Sequence, residues 1–67
     1  MSKYKDIYYA IGNIPSTVDE IIERSGKTVS EVNTTLVMLE LEDKVINLPG
    51  GRYVIKYKMK EDVKNVL

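Results

Sequence analysis

Sixty-seven residues, with 10 Lys+Arg against 10 Asp+Glu and neither cysteine nor histidine, fit one small domain. The composition excludes a disulfide scaffold, a thiolate metal site and every histidine-dependent catalytic arrangement. Zero net charge provides no global positive field for strong nonspecific nucleic-acid binding.

Hydrophobic residues make up 43% of the chain, enough for a single compact core. A domain of this size buries only about 60% of its unfolded surface, so marginal stability is expected. No apolar run approaches the roughly 20 residues of a membrane span, and no signal-peptide pattern opens the chain. The expected compartment is the cytoplasm, with no membrane partner.

Tyr4, Ile7, Tyr8 and Ile11 fall at i, i+3, i+4 and i+7, the stripe of an amphipathic helix. Ser2 is its candidate N-cap and Gly12 its stop. Asn13, Ile14 and Pro15 form a connector, because a residue before proline disfavours helix. Thr17 followed by Glu20 is a capping box opening a second helix, with Val18, Ile21 and Ile22 as its apolar face and Gly26 as its stop. Thr28 and Glu31 repeat the device. Val29, Val32, Leu36 and Leu39 then continue a third helix, closed by Asp43 and Lys44.

Two β-rich runs, Val45 to Leu48 and Tyr53 to Ile55, flank Pro49-Gly50-Gly51 and read as a hairpin. The tail from Lys58 carries Met59, Val63, Val66 and Leu67 at roughly helical spacing, a short helix or a frayed end. The domain is therefore expected over residues 1–57 and the tail over 58–67. Two helices joined by a short glycine-containing turn make a helix-turn-helix. With a helix before and a hairpin after, the fold is a winged helix-turn-helix, mainly α with a small β-hairpin.

Catalysis finds little support. Asp19, Glu20 and Glu23 are close in sequence, but Glu20 is committed to the cap and no base accompanies any hydroxyl nucleophile. Tyr4, Tyr8 and Tyr53 fit core anchors. Pro49-Gly50-Gly51 lacks the following helix N-terminus that a phosphate loop needs, and reads as a wing turn. The chain is read as a non-enzyme without cofactor or metal.

A winged helix that reads duplex DNA inserts its third helix into the major groove. Candidate contacts are Ser30, Asn33 and Thr34 on that helix, with Lys27 at its start, and Arg52, Lys56 and Lys58 on the wing side. Asn33 has the donor and acceptor for a bidentate adenine contact. Yet from Val29 to Asp43 there is no Lys or Arg, while Glu31, Glu40, Glu42 and Asp43 are present. Such a helix is repelled by phosphate, so duplex binding is expected to be weak.

The same helix is apolar on two opposite sides. At about 100° per residue, Val32, Leu36 and Leu39 share one side, and Thr34, Val37, Met38 and Leu41 lie across from it. The second set is the candidate partner interface, open to a partner protein, a second copy or the chain's own tail.

The segments IYYAIG, IPSTVDEIIERSG, TVSEV, LVMLELEDKV and LPGGRYV, in this order and spacing, resemble the C-terminal winged-helix domain of the DprA/Smf family of DNA-processing proteins. The resemblance spans about residues 7–55 and rests most on Leu48-Pro49-Gly50-Gly51-Arg52-Tyr53. It implies an accessory role in DNA uptake, transformation and recombination. In the family, a Rossmann-like domain binds single-stranded DNA and helps load the RecA-type recombinase; that domain is absent here, and the chain reads as the excised C-terminal domain. The implied partners are other domains of the parent protein or a second copy. Asp43 departs from the glycine that winged helices commonly place between the third helix and the hairpin. The competing reading is a stand-alone winged-helix transcription regulator.

Overall fold

The computed structural model describes residues 2–56. Its elements run α1 (Ser2–Ile11), β1 (Ser16–Thr17), α2 (Val18–Ser25), α3 (Val29–Leu41), β2 (Val45–Leu48) and β3 (Arg52–Ile55). The three helices form one layer around the core, and an antiparallel sheet of strand order β1-β3-β2 closes it. This is a winged helix, with β2 and β3 as the wing. The expected tail over 58–67 lies outside the described residues.

Both capping boxes form as their spacing requires. Thr17 accepts from the Glu20 N–H at 3.2 Å while Glu20 accepts from the Thr17 N–H at 2.8 Å. Thr28 and Glu31 repeat the exchange at 3.1 and 3.0 Å. Each box satisfies two backbone donors that a helix start would otherwise leave without partners. Gly26 ends α2 at φ 71°, and its N–H donates to the Ile22 carbonyl at 2.9 Å.

The end of α3 is built on Asp43. Its φ of 62° is left-handed, the conformation that glycine usually supplies. The Asp43 N–H donates to the Glu40 carbonyl at 3.0 Å, and the Lys44 N–H to the Leu39 carbonyl at 2.9 Å. That pair of bonds is a Schellman motif, and it turns the chain directly into β2.

The core consists of Ile7, Ile11, Ile21, Val32, Leu36, Leu39 and Val45, with Tyr4, Tyr8, Val18, Ile22, Tyr53 and Ile55 packed around it. Thr35 is buried with them on α3. Val29, at helical spacing with Val32, Leu36 and Leu39, is instead exposed, and burial on α3 begins at Val32. Ser2 already belongs to α1 rather than preceding it.

The sheet has one strand more than the expected hairpin. Ser16 and Thr17 pair with Tyr53 and Arg52, so the connector before α2 becomes an edge strand and β3 the central one. The wing register sets Leu48 opposite Arg52 across Pro49-Gly50-Gly51. Gly50 and Gly51 both take positive φ, 89° and 72°, which suits a tight wing tip.

Candidate functional site

The outward side of α3 gathers every helix residue that the sequence singled out. Ser30, Asn33 and Thr34 are exposed along its N-terminal half. Val37, Met38 and Leu41 continue the same side, with 55%, 43% and 82% of their surface accessible. The opposite side carries Val32, Thr35, Leu36 and Leu39 into the core. The helix is thus apolar on both sides, and only one is covered by the described residues.

The basic residues assigned to a DNA contact do not converge on this helix. Lys27 is half-buried and its Nζ lies 3.5 Å from Asp6 Oδ2 on α1. Lys56 holds both carboxylate oxygens of Asp43 at 2.8 Å. Arg52 is exposed on β3 across from Thr17, and its charge helps hold the Glu20 carboxyl below its ordinary value. Lys58 lies outside the described residues. The electrostatics of α3 are therefore set by Glu31, Glu40 and Glu42, with two of the nearest cations already paired to carboxylates.

Other titratable groups are tied into the scaffold. The Tyr4 hydroxyl donates to Glu42 Oε1, and Lys44 Nζ approaches that hydroxyl at 3.3 Å and Glu42 at 3.6 Å. The bond to Glu42 raises the Tyr4 pKa, and the Tyr4 hydroxyl raises that of Lys44. Glu20 is depressed chiefly by the Thr17 backbone N–H.

One tertiary link escaped the sequence reading. Arg24 donates to the Ala10 carbonyl at 2.7 Å and to the buried Ser16 hydroxyl at 2.8 Å, while Ser16 donates to the Ile14 carbonyl at 2.9 Å. This guanidinium joins α1, β1 and α2.

Two shallow hollows flank α1, of about 460 Å³ beside Asp6, Tyr9 and Arg24 and about 240 Å³ beside Tyr4, Tyr8 and Lys44. Among the described residues, no group of three or more His, Cys, Asp or Glu side chains could hold a metal ion. No helix among them is long and apolar enough to cross a membrane.

The winged-helix order of elements agrees with comparison to known proteins. The family model described as the DprA winged helix domain matches residues 2–51, from the start of α1 to the wing tip. Among curated proteins and solved structures, none matches the chain significantly. The family match covers most of the sequence and every helix among the described residues, and on that ground the chain belongs to the DprA winged helix domain family.

Proposed function

We propose that this is the accessory winged-helix domain of a DNA-processing protein acting in DNA uptake, transformation and recombination, and that α3 presents a protein-contacting surface rather than a groove-reading one. The observation that carries this reading is the composition of the outward side of α3. Val37, Met38 and Leu41 are exposed there, and no Lys or Arg occurs from Val29 to Leu41. Apolar surface grouped on one helix face marks an interaction site more often than chance exposure. A duplex reader needs cations to neutralise phosphate before bases are read, and Lys27 and Lys56 are engaged by Asp6 and Asp43. Partners of matching chemistry are another domain of the parent protein or a second copy of this chain. Single-stranded DNA and a RecA-type recombinase belong to the activity of the full protein.

A second reading is a stand-alone regulator that binds duplex DNA. The exposure of Ser30, Asn33 and Thr34 on one side, with Arg52 exposed on the wing, favours it.

An amide chemical-shift titration separates the two. Mixed-sequence duplex added at low salt should leave Ser30, Asn33 and Thr34 unmoved, while dilution or a partner domain moves Val37, Met38 and Leu41. Salt-sensitive shifts at Lys27, Ser30, Asn33, Thr34 and Arg52 on adding DNA would overturn the protein-contact reading.

A further inference from the structure

We infer that the outward side of α3 seats on the tyrosine-lined hollow beside α1 of a second copy of this chain, in a two-fold pair that buries both surfaces reciprocally. This rests on reading α3 as a protein-contacting surface, and it names the partner and the surface that receives α3.

The first argument is composition. The described residues lining the hollow of about 240 Å³ are Tyr4, Lys5, Tyr8, Tyr9 and Lys44, tyrosine and lysine alone. Tyr9 is 71% exposed, and its ring meets that of Tyr8 edge to face at 5.6 Å. Tyrosine is a frequent anchor of protein interfaces, because a rigid ring covers much surface at little entropic cost. The exposed apolar set on α3 is Val37, Met38 and Leu41. A methionine thioether packs favourably against an aromatic ring, and aliphatic surface suits a hollow walled by rings.

The second argument is charge. Glu42 is shared by the Tyr4 hydroxyl and Lys44, Asp6 is paired with Lys27, and Asp43 with Lys56. Lys5 beside the hollow and Glu40 beside the α3 patch are both exposed, and neither has an ion pair among the described residues. One surface thus carries a spare cation and the other a spare carboxylate, so each complements the other and repels its own kind.

The third argument is position. Tyr4 and Lys44, two walls of the hollow, both reach Glu42, which follows Leu41 and lies one turn past Met38. Hollow and patch therefore adjoin at this bridge. Both sit on helices packed around one core, so a single chain cannot fold one over the other. A two-fold axis beside the bridge sets each patch on the other copy's hollow, and the pair closes with two equivalent contacts.

The test uses the full 67-residue chain. Sedimentation should show a monomer–dimer equilibrium, and dilution should move the amides of Tyr8 and Tyr9 together with those of Met38 and Leu41. NOEs between differently labelled molecules in a mixed sample should join the Tyr9 ring to Met38 or Leu41. Lys5→Glu and Glu40→Lys, each first shown to be folded by a dispersed amide spectrum, should each weaken the dimer about tenfold, since every reversal acts twice in a symmetric pair. Both changes in one chain should restore the affinity to within about threefold of the parent.

Three results would overturn the proposal. A chain that stays monomeric at every concentration removes the second copy, and the protein-contact reading then stands or falls by the DNA titration above. A dimer in which Met38 and Leu41 move but Tyr8 and Tyr9 do not, or in which the double reversal rescues nothing, refutes the hollow as the seat and leaves the protein-contact reading standing. Growth past the dimer shows an open head-to-tail chain instead of a closed pair.

Discussion

Arg24, near the end of α2, reaches back to β1 and donates to the hydroxyl of Ser16, 2.8 Å away and fully buried. The same hydroxyl donates onward to the Ile14 carbonyl, and the other arm of the guanidinium covers the Ala10 carbonyl. Removing Arg24 takes a donor from the buried Ser16 hydroxyl, whereas removing Ser16 leaves a guanidinium that water still reaches. Ser16→Ala should cost about 1 kcal/mol and Arg24→Met about 1–2 kcal/mol in urea denaturation. Because the two act on one bond, the double variant should cost less than the sum of the singles. Strict additivity would show that the bond is not formed in solution.

Gly26 ends α2 in the left-handed region, and a Cβ placed there would meet nothing within 4 Å. Steric room is therefore not the constraint; backbone strain is. Gly26→Ala should destabilise by about 1 kcal/mol, with no change in the fold seen by circular dichroism. Asp43 occupies the same region at φ 62° and is also clasped by Lys56. Both Asp43→Asn and Asp43→Ala lose the ion pair, but asparagine tolerates the left-handed region, so Asp43→Ala should cost about 1 kcal/mol more than Asp43→Asn.

The Glu20 carboxyl is held below its ordinary value, chiefly by the Thr17 backbone N–H, with help from Arg24 and Arg52. A depressed carboxyl contributes stability that is complete above the unfolded-state value of about 4.3 and is lost as pH falls through the lower folded-state value. Thermal melting points should therefore drop below that pH, and Glu20→Gln should flatten this part of the curve, since glutamine can serve the cap without titrating. An unchanged acid limb in the variant would assign the loss to other carboxylates.

Neighbours on α3 should respond in opposite ways. Leu39 is fully buried, and Leu39→Ala should cost about 2–5 kcal/mol. Leu41, two residues on, is largely exposed, and the pair Met38→Ser with Leu41→Ser should change stability by less than about 1 kcal/mol. Under the protein-contact reading, that pair should also abolish concentration-dependent association, as read by sedimentation. Unfolding of the double variant would place both side chains in the core.

The contrast between Leu39 and Leu41 was legible in the sequence because both sides of a helix follow from one period. So were the capping boxes and the wing, since each is a local pattern complete within a few residues. Ser16 and Thr17 gave no such signal: two residues are too few to show alternation, and their strand partners, Tyr53 and Arg52, lie far along the chain. The bonds of Arg24 gave no sequence signal either, because its acceptors belong to α1 and β1. The pairing of Lys27 with Asp6 and of Lys56 with Asp43 was hidden for the same reason. Charge can be counted in a sequence, but its partner is chosen by the fold. Val29 was misplaced because periodicity marks a stripe without saying where the covering core ends.

The central position of β3 has a consequence for the order in which the domain is completed. The helices among the described residues lie in the first 41 positions and meet through nearby segments, so they can begin to associate early during synthesis. Ser16–Thr17 and Val45–Leu48 must both wait for Arg52–Ile55, the strand translated last among the described elements. A nascent chain that has emerged only as far as the wing tip holds three helices with no strand ladder to lock them. The closing event is the insertion of four residues between two waiting edges, after which the Ile55 N–H also seals the end of α1 through the Gly12 carbonyl at 2.9 Å.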